Sequence, residues 1–148
     1  MDEIPSVNAQ VRARILVAED YVDTAESMAK LLRIFGHEVQ VAHDGPQAIA
    51  TALSWRPEVV LLDIGLPTKD GYEVARQLRQ EPTCRDIVII AVTGYGQEVD
   101  LQRGRAAGID HHLLKPVESS VLLPLLSRSE PLARAAGQFV CGASFDAD

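Results

Sequence analysis

Five short apolar runs, each followed by a stretch of helical periodicity, constrain this chain more than any other feature. The runs are Arg14-Ile-Leu-Val-Ala18, Glu38 to Ala42, Glu58-Val-Val-Leu-Leu-Asp63, Ile87-Val-Ile-Ile-Ala-Val-Thr93 and Ile109 to Leu114. Their length and β-branching suit parallel strands buried on both faces. Between them the apolar spacing changes to that of helices. Ala25, Met28, Ala29, Leu32 and Phe35 share one helical face, and Gly36 stops that helix. Ala48, Ile49, Ala52 and Leu53 line a second, opened by Asp44-Gly45-Pro46 and closed at Arg56-Pro57. Val74, Ala75 and Leu78 mark a third.

The fourth helix, about Gln97 to Ala107, is weakly specified, because it carries Gly104 and few apolar residues. The last starts near Ser119, with Pro124 awkward unless it falls in the first turn. Strand-helix alternation of this kind implies right-handed crossovers and a parallel sheet covered on both sides. The expected fold is therefore α/β, a flavodoxin-like doubly wound (βα)5 domain. Its strand order, 2-1-3-4-5, follows from what small doubly wound domains commonly adopt rather than from periodicity. The domain is expected over 13–128, with a flexible lead at 1–12 and a tail at 129–148 on which no regular structure is placed.

A net charge of -7 argues against bulk electrostatic binding of nucleic acid or anionic lipid. No segment has the length and apolarity of a membrane span, and Met1 to Gln10 lacks the features of a secretory signal. Cys84 and Cys141 have neither metal-ligand spacing nor a disulfide pattern. The expectation is a cytoplasmic protein.

In open α/β sheets, sites form beyond the carboxyl ends of the strands. There this chain carries Glu19 and Asp20 after the first strand, Asp63 after the third, Thr93 after the fourth and Lys115 after the fifth. Two like charges about 4 Å apart repel by roughly 4 kcal/mol at an effective dielectric near 20. A cation relieves that repulsion, and an all-oxygen donor set favours a hard divalent ion such as Mg2+. Lys115 adds a point charge able to meet a carboxylate or a phosphoryl oxygen.

The paired acids Glu19-Asp20, the run Leu61-Leu-Asp-Ile-Gly-Leu-Pro67 with Asp70-Gly71, Ala91-Val-Thr-Gly94 and Leu114-Lys-Pro116 stand in one order at strand ends. Together they resemble the receiver domain of two-component response regulators, over about Arg14 to Ser127. The resemblance implies that Asp63 is a phosphoacceptor, a nucleophile toward phosphorus. It implies Mg2+ held by Asp20, Asp63, Glu19 and the backbone carbonyl of Gly65. Thr93 would hydrogen-bond the phosphoryl group, Lys115 would neutralise it, and the Lys115–Pro116 peptide would be cis. Its partners would be a histidine kinase or phosphotransfer protein, and a downstream protein met through the fourth helix, fifth strand and fifth helix. The protein would be a monomer or a phosphorylation-dependent dimer.

In such a switch Thr93 moves toward the phosphoryl group, and an aromatic ring three residues before the lysine fills the space. Here that residue is His112, whose ring is smaller than tyrosine's and whose protonation resists burial, adding pH sensitivity. Tyr95 and Gly65, each two residues past a site residue, are placed to govern water access to the phosphoryl group. His111-His112 is not read as a metal pair, since neighbours on a strand point to opposite faces. Trp55 is read as a packing residue. The alternative is an aspartyl-phosphate phosphatase or phosphotransferase resembling the haloacid dehalogenases. That chemistry wants a second aspartate two residues past the nucleophile, where this chain has Gly65. A nucleotide or flavin domain would want a glycine-rich first loop, and Ala18-Glu-Asp-Tyr21 offers carboxylates instead.

Overall fold

A computed structural model describes residues 12–94 and 101–127. Five parallel strands are found there: β1 Arg14–Ala18, β2 Glu38–Ala42, β3 Val59–Asp63, β4 Val88–Thr93 and β5 His111–Leu114. They form one sheet in the order β2-β1-β3-β4-β5. The helices are α1 Val22–Ile34, α2 Gly45–Trp55, α3 Gly71–Arg79, α4 Leu101–Ala107 and α5 Ser119–Ser127. A single 3-10 turn, Pro82–Cys84, precedes β4. The doubly wound fold and its strand order are as the alternation and topology rules predict.

Although β1 and β3 read as continuous apolar runs, their side chains divide between two cores. Leu16, Ala18, Val60 and Leu62 join Ala48, Ala52, Val74, Leu78 and Ala107 on the face covered by α2, α3 and α4. Ile15, Val17, Val59 and Leu61 join Ala25, Ala29, Leu32, Leu122 and Leu126 on the face covered by α1 and α5. This is the two-residue period of a strand with both faces dry.

Local chemistry sets the helix ends. Asp44 accepts a hydrogen bond from the Gln47 N–H at 2.8 Å, capping α2 with Pro46 in its first turn. Asp70 does the same for α3 through the Glu73 N–H at 2.9 Å. At the end of α1, Gly36 takes φ +96°, a conformation suited to glycine.

Some expectations need correction. Phe35 lies past the end of α1 and is 43% exposed, and Leu53 is also exposed, so neither belongs to the core. The N-cap of α1 is Tyr21, without a side-chain cap bond. β5 begins at His111 rather than Ile109. Pro124 lies inside α5, past its first turn, yet the helix runs on to Ser127. Trp55 packs against the core, with the Arg14 guanidinium 5.9 Å from its ring centre. The predicted start of the fourth helix, residues 1–11 of the lead, the tail and Tyr95 lie outside the described residues.

Candidate functional site

At the carboxyl edge of the sheet, β1, β3, β4 and β5 end side by side. Leu62 pairs with both Ala18 and Ala91, and Thr93 with Leu114. That register carries Glu19, Asp20, Asp63, Thr93 and Lys115 to one rim. The Glu19 N–H donates to the Ala42 carbonyl at 2.9 Å, so the first acid is fixed by its backbone. One of its carboxylate oxygens accepts from the Tyr21 N–H at 3.0 Å. The other accepts from Lys115 Nζ at 2.7 Å.

Asp63 lies farther from that ammonium, at 3.5 Å, and its second oxygen accepts from the Gly65 N–H at 3.0 Å. Glu19 and Asp63 are buried, Asp20 is exposed, and each of the three offers an oxygen within 4.8 Å of the others. Two of these carboxylates, Glu19 and Asp63, share the Lys115 ammonium, while Asp20 stands beside them. The donor set, all oxygen with one exposed member, fits a hard divalent cation. Both partners of the shortest pair carry a raised pKa. Burial raises that of Glu19, opposed by Lys115 and the Tyr21 N–H and reinforced by the Asp63 charge. Burial alone would lower that of Lys115, but the hydrogen bond it donates to Glu19 and the charge of Asp63 outweigh it. The lysine sees two carboxylates, whereas Glu19 sees one cation, a nearby anion and little water.

Thr93 is fully buried, and its hydroxyl lies 3.5 Å from the Leu113 carbonyl. The Lys115 N–H donates to the Thr93 carbonyl at 2.8 Å, tying β4 to β5 just above the site. The Lys115–Pro116 peptide is cis. A cavity of about 650 Å³ runs from Asp63 and Lys115 between α1 and the segment after β5, past Asp23, Met28, Leu31 and Val117.

Two glycines shape the surroundings. A Cβ on Gly71 would come within 2.7 Å of Ile64 Cα and 2.9 Å of the Asp63 carbonyl oxygen, so only glycine lets α3 begin this close to the acidic strand end. A Cβ on Gly104 would come within 2.7 Å of His112 Nε2. The residue read as a weakness of the fourth helix is thus what lets α4 sit on the imidazole. His112 is fully buried there, so its ring is interior already. Burial first, then the charges of His111 and Arg105, lower its pKa to about 4. A glycine inside a helix costs about 1 kcal/mol against alanine, and here it is set against close packing on the imidazole.

The model of the response regulator receiver domain matches residues 15–127, from the second residue of β1 to the end of α5. The chain belongs to that family. Receiver domains are signalling domains that bind Mg2+ at an acidic pocket and interact with histidine kinases and downstream effectors. The receiver is 38% identical over 122 residues to response regulator MprA of Mycobacterium avium, covering 80% of this chain and 53% of that protein. It is 34% identical over 115 residues to protein PilH of Pseudomonas aeruginosa, covering 78% of this chain and 95% of PilH. Against response regulator PleD of Caulobacter vibrioides, at 34% over 110 residues, it covers 74% of itself but only 24% of that relative. Among solved structures it resembles the receiver domain of a Pseudomonas aeruginosa sensor histidine kinase, with a TM-score of 0.72 and 32% identity over 79% of this chain and 96% of that one. That domain has a magnesium ion coordinated in its active-site cleft. The chemotaxis response regulator CheY4 of Vibrio cholerae matches at TM-score 0.73 and 28% identity, covering 80% of this chain and 98% of that one. No helix among the described residues is long and apolar enough to cross a membrane.

Proposed function

We propose that this receiver accepts a phosphoryl group on Asp63 from a histidine kinase or phosphotransfer protein, in a reaction that needs Mg2+. The observation that carries the reading is the rim itself, where the oxygens of Glu19, Asp20 and Asp63 lie within 4.8 Å of one another and Lys115 Nζ lies 2.7 Å from Glu19 and 3.5 Å from Asp63. Asp20, Asp63, Glu19 and the Gly65 carbonyl would hold the ion. When bound, it supplies positive charge for the incoming phosphoryl oxygens and offsets the repulsion of the acids.

The protein's own groups supply positioning and charge. A carboxylate oxygen of Asp63 forms the new bond to phosphorus while the donor's phosphorus–nitrogen bond breaks, leaving the donor imidazole as leaving group. The Gly65 N–H, on one oxygen of Asp63, orients the carboxylate so that the other faces Lys115. Lys115 is held charged and lies within reach of both acids, so it can turn from Glu19 to a phosphoryl oxygen. The hydroxyl of Thr93, with only a long contact to the Leu113 carbonyl, loses little by turning to that group. The movement of Thr93 would reach α4 through His112, changing a protein-binding face formed by α4, β5 and α5.

The test is intact mass after incubation with Mg2+ and acetyl phosphate, with Asp63→Asn alongside. One added phosphoryl mass in the parent alone is the expected result. An equal gain in both proteins would show a different acceptor. No gain from acetyl phosphate or from any phosphorylated histidine donor would end the phosphoacceptor reading.

A further inference from the structure

Beside the switch residues, a second set of contacts joins α4 to the segment carrying the acceptor. The Arg103 guanidinium lies over the Tyr72 ring, 4.5 Å from its centre, and 3.4 Å from an oxygen of Asp70. Asp70 and Tyr72 flank Gly71, the residue pressed against Ile64 Cα and the Asp63 carbonyl. The Gly71 N–H donates to the Ile64 carbonyl at 2.9 Å, which closes the loop holding Gly65. Asp70 is therefore engaged twice, one oxygen capping α3 and the other facing Arg103. Tyr72 is buried, so its ring is a fixed platform.

We propose that Arg103 is a positioning residue for the acceptor loop. Through Asp70 and Tyr72 it holds the turn from Ile64 to Gly71 in register, and so fixes the Gly65 N–H that orients Asp63 and the Gly65 carbonyl. The next residue, Gly104, rests on His112. Adjacent positions of α4 thus touch the two flanks of the site, one by way of β5 and the other by way of the loop after β3. A shift of α4 along either flank must be felt on the other. A salt bridge this exposed is weak by itself. A planar guanidinium stacked on a fixed ring while meeting a carboxylate is more directional, and lysine cannot reproduce it.

The experiment compares the parent, Arg103→Ala, Arg103→Lys and Asp70→Asn by amide hydrogen exchange, residue by residue, without ligand. Loss of both the stack and the ion pair in Arg103→Ala is expected to speed exchange of the Gly71 and Gly65 amides about fivefold or more. Arg103→Lys should fall between Ala and the parent, and Asp70→Asn should reproduce part of the effect while the α3 cap persists. A change confined to α4, or none at all, would overturn the proposal, leaving Arg103 as a surface residue of its helix. A second arm measures Mg2+ affinity by calorimetry, with a severalfold loss expected in Arg103→Ala and partial recovery in Arg103→Lys. That arm rests on the metal reading above. If the parent takes up no Mg2+, that reading fails, while the Gly71 and Gly65 exchange rates still decide the role of Arg103.

Discussion

The two ends of this sheet treat charge in opposite ways. At the amino-terminal pole of β4 and β5, Arg79 donates to the Gly108 carbonyl from Nε at 3.1 Å and from Nη2 at 2.8 Å. Its Nη1 reaches the Cys84 carbonyl at 3.2 Å and that of Arg85 at 3.1 Å, and Nη2 meets Asp110 at 2.9 Å. The same Asp110 oxygen also accepts from the Ile89 N–H at 2.9 Å. In this largely buried pair every guanidinium nitrogen has a partner, and the pair joins α3, the 3-10 turn, β4 and the approach to β5. At the carboxyl rim, one ammonium serves Glu19 and Asp63 unequally, and Asp20 stands exposed beside them. A satisfied buried pair fixes one arrangement. An under-neutralised cluster keeps a demand for charge that a ligand can meet, which is where chemistry becomes possible.

The largest expected effect is at the saturated pole. Asp110→Ala strands the Arg79 charge and the Ile89 N–H, and should cost about 3–5 kcal/mol of folding stability in urea titrations. A loss below about 1 kcal/mol would mean that the pole is no more constrained than the rim.

Acid tests the contact between site and helix. The His112 pKa falls from 6.5 to about 4 in the folded protein. Its contribution is therefore complete above the unfolded value and is lost as pH drops from 6.5 toward 4. At 1.36 kcal/mol per unit, the full loss is roughly 3 kcal/mol. His37, whose pKa burial also lowers against the opposing charge of Glu58, acts in the same direction. Unfolding at stepped pH should show the loss in the parent, and in His112→Phe the loss should be smaller by about the His112 part. An unchanged slope in that variant would remove His112 from the account.

Gly104→Ala places a methyl against the imidazole and should destabilise by about 1–3 kcal/mol, with faster exchange in α4. Double substitution with His112→Ala makes room and should restore much of that loss. The smallest effect has the opposite sign. Asp63→Asn removes one of three neighbouring negative charges and should raise stability by about 1 kcal/mol while abolishing phosphoryl uptake. Destabilisation by this change would make the rim resemble the opposite pole, and the contrast between them would fail.

The architecture was legible because each element carries its own instructions. Strand runs, the Asp44-Gly45-Pro46 turn and Gly36 act over a few residues, and the sheet order followed from packing rules common to small doubly wound domains. The placing of Glu19, Asp20, Asp63, Thr93 and Lys115 on one rim was legible because they all stand at strand ends, and a parallel sheet brings such ends together. Errors fell where a residue's environment comes from elsewhere in the chain. The spacing of Phe35 put it on the core face, but the helix stops before it. Gly104 looked like a defect until the His112 ring was placed beneath it.

What the amino-acid order determined by itself was the set of parts, namely five strands, their helices, and a rim bearing Glu19, Asp20, Asp63, Thr93 and Lys115. Only the tertiary structure decided how those parts engage. Lys115 lies closer to Glu19, 96 positions away, than to Asp63, 52 away. Arg79 finds Asp110 across 31 positions, and Arg103 reaches Asp70 across 33. Helix and strand propensities act over single turns, whereas charge pairing and burial depend on distance in space. That distance exists only once the sheet has closed.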